Sequence, residues 1–404
     1  MNLLVGQSGG PTAAINASLA GVIKAGLDSK EIGKVYGTVN GIDGVLNDEL
    51  VDLEKFRDEK LLKLLIQTPS SYLGSCRHKL PNLDEGRETY EKIEEIFKKY
   101  DIGYFLYIGG NDSMDTVDKL SKYFAEKKSD IRVVGVPKTI DNDLCQTDHT
   151  PGFGSAAKFV ANTARQLAFD TKVYGTTKSV IVLEIMGRNA GWLTAAASLA
   201  NNENIKAVDA VCLPETVFDK EKFLSKVDGV MKEKNFSIIA VSEGIKDSEG
   251  NYIGENKTAT RKDGFAHAAL GGVGKTVESW ISQGLGLKTR SIELSTLQRC
   301  FSVGASKCDL DEAFEAGHKG VELVLSGETA IMIGFNRISD EPYKIDIVPY
   351  KVSEIANGEK TIPIDMISPD GMEMNENFIK YARPLICGEP DISYTDGTID
   401  FVTR

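Results

Sequence analysis

The segment Pro137-Lys138-Thr139-Ile140-Asp141-Asn142-Asp143 sets two carboxylates two positions apart, beside a lysine and a threonine. An aspartate can take the proton of a hydroxyl as its oxygen attacks phosphorus. A lysine in such a place can neutralise charge that develops on a transferring phosphoryl group. The same residues could form a plain acidic surface turn, so the rest of the chain has to decide. Gly9 and Gly10, in GQSGGP, precede a helical run. Glycine lets backbone N–H groups approach an oxyanion, and a helix start adds partial positive charge. Gly109-Gly110-Asn111-Asp112-Ser113 is a second loop of this kind. Asp112 or Ser113 could simply cap the next helix. Oxygen side chains beside a phosphate cradle are also what Mg2+ needs, because it takes a few protein ligands and the rest from water and phosphate.

Further along, Met186-Gly187-Arg188 offers an arginine able to fork onto phosphate oxygens. Glu243 could accept a hydrogen bond from a sugar hydroxyl. Arg77, Arg290 and the pair Gln298-Arg299 add positive charge. Each of these alone reads equally well as a surface charge or a buried cap. Together they point to phosphoryl transfer to a hydroxyl group with Mg2+. No GxxxxGK[ST] loop is present, nor the HRD and DFG motifs of protein kinases.

Apolar strands alternating with amphipathic helices must position these loops. Strands are predicted over Asn2–Gln7, Lys34–Val39, Ile102–Ile108, Ile131–Val136, Ser179–Ile185, Ala207–Leu213, Phe236–Val241 and Thr329–Phe335. Helices are predicted over Ala13–Leu27, Glu88–Tyr100, Asp112–Lys127, Ser155–Phe169 and Asp309–Leu325. This order predicts an α/β protein with two Rossmann-like domains and mainly parallel sheets, because parallel strands need helical crossovers. In open parallel sheets, ligands bind beyond the C-terminal ends of the strands, which is where these loops fall. The expected division is residues 1–150 with about 298–345, then 151–297 with part of the C-terminal segment. Residues 346–404 are expected as an extension, and the chain from Asn336 onward reads as turn-rich and wrapped around the core.

Composition narrows the class. A net charge of −12 argues against a nucleic-acid coat, which needs a broad basic face. No stretch approaches the roughly 20 apolar residues that span a bilayer, and MNLLVGQSGG reads as a first strand, not as a signal peptide. Six scattered cysteines without a CxxC suit a reduced cytoplasm, and four histidines without HExxH make a histidine-rich metal site unattractive.

SGGPTAAIN, YIGGNDS, PKTIDND, EIMGRNAGW, Glu243-Gly244 and Leu297-Gln298-Arg299 occur in the order and approximate spacing of the 6-phosphofructokinase family, over about residues 1–335. The chain resembles that family, whose fold places the active site in the cleft between the two domains and whose members phosphorylate the C1 hydroxyl of fructose 6-phosphate. The resemblance implies that Gly9, Gly10, Gly110 and Ser113 hold the donor phosphates and that Asp141 is the general base, with Asp143 beside it. It implies acceptor contacts from Thr139, Ile140, Asp141, Met186, Gly187, Arg188 and Glu243, and from Arg290, Thr296, Gln298 and Arg299, with Arg188 also steadying the transition state. Asn111 or Asp112 would hold the metal. ATP users of the family typically carry GGDGS and PGTID; here Asp112 and Lys138 replace a glycine in each, which resembles the pyrophosphate-dependent branch. A carboxylate where a nucleotide α-phosphate would lie repels it, and Lys138 sits where pyrophosphate's transferring group gains charge. Asn111 stands where a magnesium-binding aspartate is usual, and Ser179 where ATP-dependent bacterial relatives lend an arginine across a subunit interface. The family implies a homodimer or homotetramer. An ATP-dependent enzyme or a non-catalytic regulatory subunit are the alternatives; intact Asp141, Asp143 and Arg188 speak against the latter.

Overall fold

A computed structural model describes residues 1–254, 272–356 and 358–404 of the chain. Its larger sheet has seven strands: β1 (Asn2–Gln7), β2 (Val35–Thr38), β3 (Leu50–Asp52), β4 (Ile102–Gly109), β5 (Arg132–Pro137), and later β10 and β11. The smaller sheet has four strands: β6 (Ser179–Ile185), β7 (Val208–Cys212), β8 (Phe236–Ser242) and β9 (Lys288–Glu293). β10 (Ile331–Asp340) and β11 (Tyr343–Lys351) return to the larger sheet, whose order is β11-β10-β5-β4-β1-β2-β3. The smaller sheet runs β7-β8-β6-β9 and is parallel throughout. In the larger one only the edge pairs β2–β3 and β10–β11 are antiparallel.

Alternation along the strands explains why helices cover both faces of each sheet. Leu3, Val5, Leu106, Ile108, Val134 and Val136 point to one side, where α1 (Ile15–Asp28) and a late helix, α7 below, bury them. Leu4, Phe105, Tyr107 and Val133 point to the other, against α2 (Arg87–Lys99) and α3 (Asn111–Glu126). Burying each such aliphatic side chain stabilises the fold by about 1.5–3 kcal/mol, so these strands are stiff mounts. The smaller sheet is covered by α4 (Phe153–Lys172) on one face and by α5 (Lys220–Glu233) and α6 (Val273–Leu285) on the other. α7 (Lys307–Ser326) then crosses back and lies along α1.

Register brings the loops together. Gln7 pairs with Ile108, and Gly109 with Pro137, so β1, β4 and β5 end side by side. Ile185 pairs with Ser242, so the loops after β6 and β8 also leave at one level.

The chain after Asn336 differs from the expectation. It does not merely wrap the core: β10 runs on to Asp340, β11 adds an edge strand, and Ile362, Ile367, Phe378, Ala382 and Leu385 enter the core of the smaller-sheet half. The last three flank α8 (Glu376–Ala382) or lie within it. An edge strand is half solvated, so Tyr343–Lys351 alternates apolar with charged residues and reads as polar in sequence. Among the described residues no helix is long and apolar enough to cross a membrane.

Candidate active site

The loops after β1, β4, β5, β6 and β8 surround one cleft of about 460 Å³ between the two sheets. At its floor, Ser8-Gly9-Gly10-Pro11-Thr12 joins β1 to α1. Gly9 has φ +77°, and a Cβ there would lie 3.2 Å from the Lys138 ammonium. Its N–H donates to Cys76 O at 3.1 Å, and Ser75 Oγ donates to Gly9 O at 2.6 Å. Gly9 therefore serves the cleft by leaving room rather than by offering its own N–H. The same two bonds draw Arg77 to the rim of the cleft.

Gly110 is the N-cap of α3, so Asn111, Asp112 and Ser113 form the first helical turn. Ser113 is buried, its hydroxyl tucked against Gly109. Asp112 faces the cleft mouth, and its Oδ1 lies 2.7 Å from Lys79 Nζ. Buried Asn111 Oδ1 has no hydrogen-bond partner, while its Nδ2 reaches Asp143 Oδ2 at 3.5 Å.

The third loop is tied to the second by Lys138 N donating to Gly109 O at 2.9 Å. Lys138 is 2 % exposed, and its Nζ donates to Gly10 O at 2.6 Å. Burial pulls its pKa down to about 8, although Asp141 and Asp143 favour the cation. Thr139 Oγ1 accepts from Asp141 N at 3.1 Å and donates to Asp141 Oδ2 at 3.2 Å, which sets the carboxylate's direction. Burial raises the pKa of Asp141. Asp143 is raised to about 7 by burial and then by the charge of Asp141. Two buried carboxylates this close resist both being ionised.

On the facing wall, Met186, Gly187 and Arg188 follow β6, and Glu243 follows β8. A Cβ on Gly244 would stand 1.8 Å from Arg188 O, so only glycine lets these two loops close on one another. Ser242 Oγ donates to Gly187 O, fixing the same junction. Burial raises Glu243 to about 7, against a backbone hydrogen bond from Gly187 that lowers it.

The structure brings Gly9, Gly10, Gly110, Asn111, Asp112, Ser113, Lys138, Thr139, Ile140, Asp141, Asp143, Met186, Gly187, Arg188, Glu243 and Arg299 onto this one lining. It places three of the expected acceptor residues elsewhere. Gln298 is buried, its Oε1 accepting from Met186 N at 3.3 Å and its Nε2 donating to Ser295 O, so it holds the acceptor loop from behind. Thr296 is exposed just ahead of the short helix Leu297–Cys300. Arg290 is exposed on the edge strand β9. Thr12, Asn189 and Glu359 also line the cleft and escape sequence reasoning. Thr12 and Asn189 sit inside motifs already singled out. Glu359 carries no local signal: it arrives because Lys360 N donates to Asp143 O at 2.7 Å.

Among the described residues, no three His, Cys, Asp or Glu side chains converge as a metal cage. Mg2+ takes only a few protein ligands and completes its shell with water and phosphate oxygens. The partnerless amide oxygen of Asn111, with Asp112 beside it and Asp143 close by, fits such a partial ligand set.

The phosphofructokinase family model matches residues 2–324. A pyrophosphate–fructose 6-phosphate 1-phosphotransferase of Methylococcus capsulatus is 41% identical over 404 residues, covering 100% of this chain and 95% of the relative. A sulfofructose kinase of Alkalicoccus urumqiensis is 32% identical, covering 90% of this chain and 91% of its own length. The crystal structure of a pyrophosphate-dependent phosphofructokinase from Nitrosospira multiformis superposes with a TM-score of 0.90 at 39% identity, covering 99% of this chain and 95% of that one. With likeness along almost the whole length, the chain belongs to the phosphofructokinase family, on the branch of its pyrophosphate-dependent members.

Proposed function

We propose that the chain transfers a phosphoryl group from pyrophosphate to the C1 hydroxyl of fructose 6-phosphate, reversibly and with Mg2+, giving fructose 1,6-bisphosphate and phosphate. That it is a phosphotransferase follows from its family; donor, acceptor atom, metal and direction are the proposal. The observation that carries it is Lys138, buried against Gly10 with Asp141 at its side, in a cleft that Asp112, paired with Lys79, also lines. A nucleotide would have to run its remaining phosphate and its sugar past a carboxylate.

In this reading residues 1–150 with about 298–345 carry the donor, and 151–297 with part of the C-terminal segment carry the sugar. Asp141 accepts the proton of the C1 hydroxyl as that oxygen attacks phosphorus. The bond from phosphorus to the bridging oxygen of pyrophosphate breaks, and phosphate leaves. Lys138 and Arg188, on opposite walls, meet the negative charge of the phosphoryl group in flight. Asn111, Asp112 and Asp143 would hold Mg2+, which when bound neutralises phosphate oxygens. Donor and product carry phosphoryl groups of similar energy, so the transfer runs in both directions and serves glycolysis or gluconeogenesis.

Arg299 lines the cleft, and this reading assigns it to the sugar's 6-phosphate. Arg290 reaches no such place within one chain. Exposed Leu297, Phe301 and Val303 follow it in sequence, and Phe301 packs its ring on Phe159 of α4, which carries exposed Phe169. This apolar surface supports a homodimer or homotetramer. All six cysteines are free, in keeping with a reducing compartment such as the cytoplasm.

The test offers Mg2+ and fructose 6-phosphate with either pyrophosphate or ATP and follows fructose 1,6-bisphosphate. Turnover with pyrophosphate and little with ATP is expected; the reverse would sink the reading. Running 6-deoxy-6-sulfofructose in parallel checks the acceptor.

Glu243 makes a second expectation. Its carboxylate is protonated below about pH 7 and charged above. A sugar hydroxyl binds the charged form better, so KM for the sugar should rise as pH falls from 8 to 6.5. Glu243→Gln should raise that KM about tenfold at pH 8, the worth of one charged hydrogen bond. It should also flatten the difference across this range. A wild-type-like pH dependence in the variant would remove Glu243 from the role.

A further inference from the structure

We infer that the C-terminal segment is a positioning bracket for the catalytic loop, fixed by Tyr381 and Lys360, and that Tyr381 and Lys360 are positioning residues for the transfer. The inference rests on the reading of Asp141 and Asp143 given above.

Asn142 stands between the two carboxylates, fully buried and with φ +56°. Its side chain is held at both ends. Nδ2 donates to Tyr381 Oη at 2.8 Å, and Oδ1 accepts from Thr150 N at 3.1 Å. Tyr381 Oη in turn donates to Asp148 O at 2.8 Å, so one hydroxyl joins both arms of the loop. The tyrosine is itself clamped. Arg337 lies 4.7 Å over its ring, donates to its carbonyl at 3.0 Å, and pairs with Asp148. Buried His149 extends the support to Glu312.

Lys360 repeats the pattern with its backbone. Its N–H donates to Asp143 O at 2.7 Å, and its Nζ donates to Thr147 O and Asp148 O at 3.0 and 2.8 Å. Its carbonyl accepts from Trp192 Nε1 at 2.9 Å, at the end of the loop that carries Arg188. The Trp192 ring also packs on Tyr381, 5.2 Å between centroids. Two residues on, Ile362 N shares Glu215 Oε1 with Gly191 N. The segment thus holds the base loop on one side and the Arg188 loop on the other. The separation between proton acceptor and cationic clamp depends on it, and transfer rates fall steeply when reacting groups shift by fractions of an ångström.

The test is a double-mutant cycle on the full-length enzyme with Mg2+ and both substrates. Tyr381→Phe keeps the ring under Arg337 and removes only the hydroxyl. Asn142→Gly removes the amide and accepts the positive φ. We expect Tyr381→Phe to lower kcat about tenfold with both KM values within about twofold. The double variant should fall no further than the worse single variant. Lys360→Met should act likewise on kcat. The inference is overturned if Tyr381→Phe melts earlier yet turns over like wild type, or if the two single losses multiply in the double variant. Wild-type enzyme run beside them separates the readings. An inactive wild type sinks the proposed function and this inference with it, whereas an active wild type beside an unaffected Tyr381→Phe overturns this inference alone.

Discussion

Asp141→Asn should lose about a thousandfold in kcat, in the range expected when a general base is removed, while KM for both substrates stays near wild type. The asparagine keeps the size and the contact with Thr139 Oγ1 that orients the side chain, so the cleft should keep its shape. What disappears is the proton acceptor. In the reverse direction the same group must return the proton to the C1 oxygen as phosphate attacks, so the loss should be of similar size both ways. Burial raises the Asp141 pKa. A carboxylate raised in this way is protonated at higher pH than usual, so wild-type activity should be lost as pH falls, from above the ordinary carboxylate range. Steady-state kinetics in both directions check this. A variant within tenfold of wild type would transfer the role to Asp143 or to solvent.

Replacing Lys138 by Met should lower kcat about 10²- to 10³-fold, as when a preorganised cation is taken from a transition state. Methionine fills the buried stem, so the fold should survive. The cation is held between Gly10 O and the two aspartates, where the proposed transfer would bring the phosphoryl group that leaves pyrophosphate. Its pKa near 8 has a further consequence. The ammonium is present below that pH and lost above it, so kcat/KM for the donor should decline as pH rises through about 8. The negative donor favours the cation, so the decline in kcat should lie at higher pH. Lys138→Arg, charged throughout, should show no such decline whatever its absolute rate. Equal turnover by wild type and Lys138→Met at pH 7 would leave donor choice to Asp112 alone.

Asp112 itself is a less simple group than a bare repelling charge. Its pairing with Lys79 weakens the field it presents to solvent, so in the proposed reading the pair would exclude a long donor by occupying space as well as by charge. The exposed position makes this contribution salt-dependent.

Much of this protein is written locally. Continuous apolar runs such as Asn2–Gln7 and Ile102–Gly109 determine strands, and glycine-broken ends such as Gly9-Gly10 and Gly109-Gly110 determine the turns that line the cleft. Residue type then marks PKTIDND and MGR as candidates for phosphoryl chemistry, because a lysine beside paired carboxylates is a charge pattern before it is a structure. Tertiary structure decided the rest. Arg299 turned into the cleft while Arg290, nine residues earlier, was left on an edge strand. Gln298 was spent on Met186 N, and Gly9's N–H on Cys76. The altered proton affinities of Lys138, Asp143 and Glu243 exist only because distant elements remove water from them. Lys360 and Tyr381 reach the loop that carries Asp141 from over two hundred residues away through backbone and side-chain hydrogen bonds, and Lys360 brings Glu359 with it. Burial and long-range pairing are properties of many residues at once, and no single stretch of chain contains them.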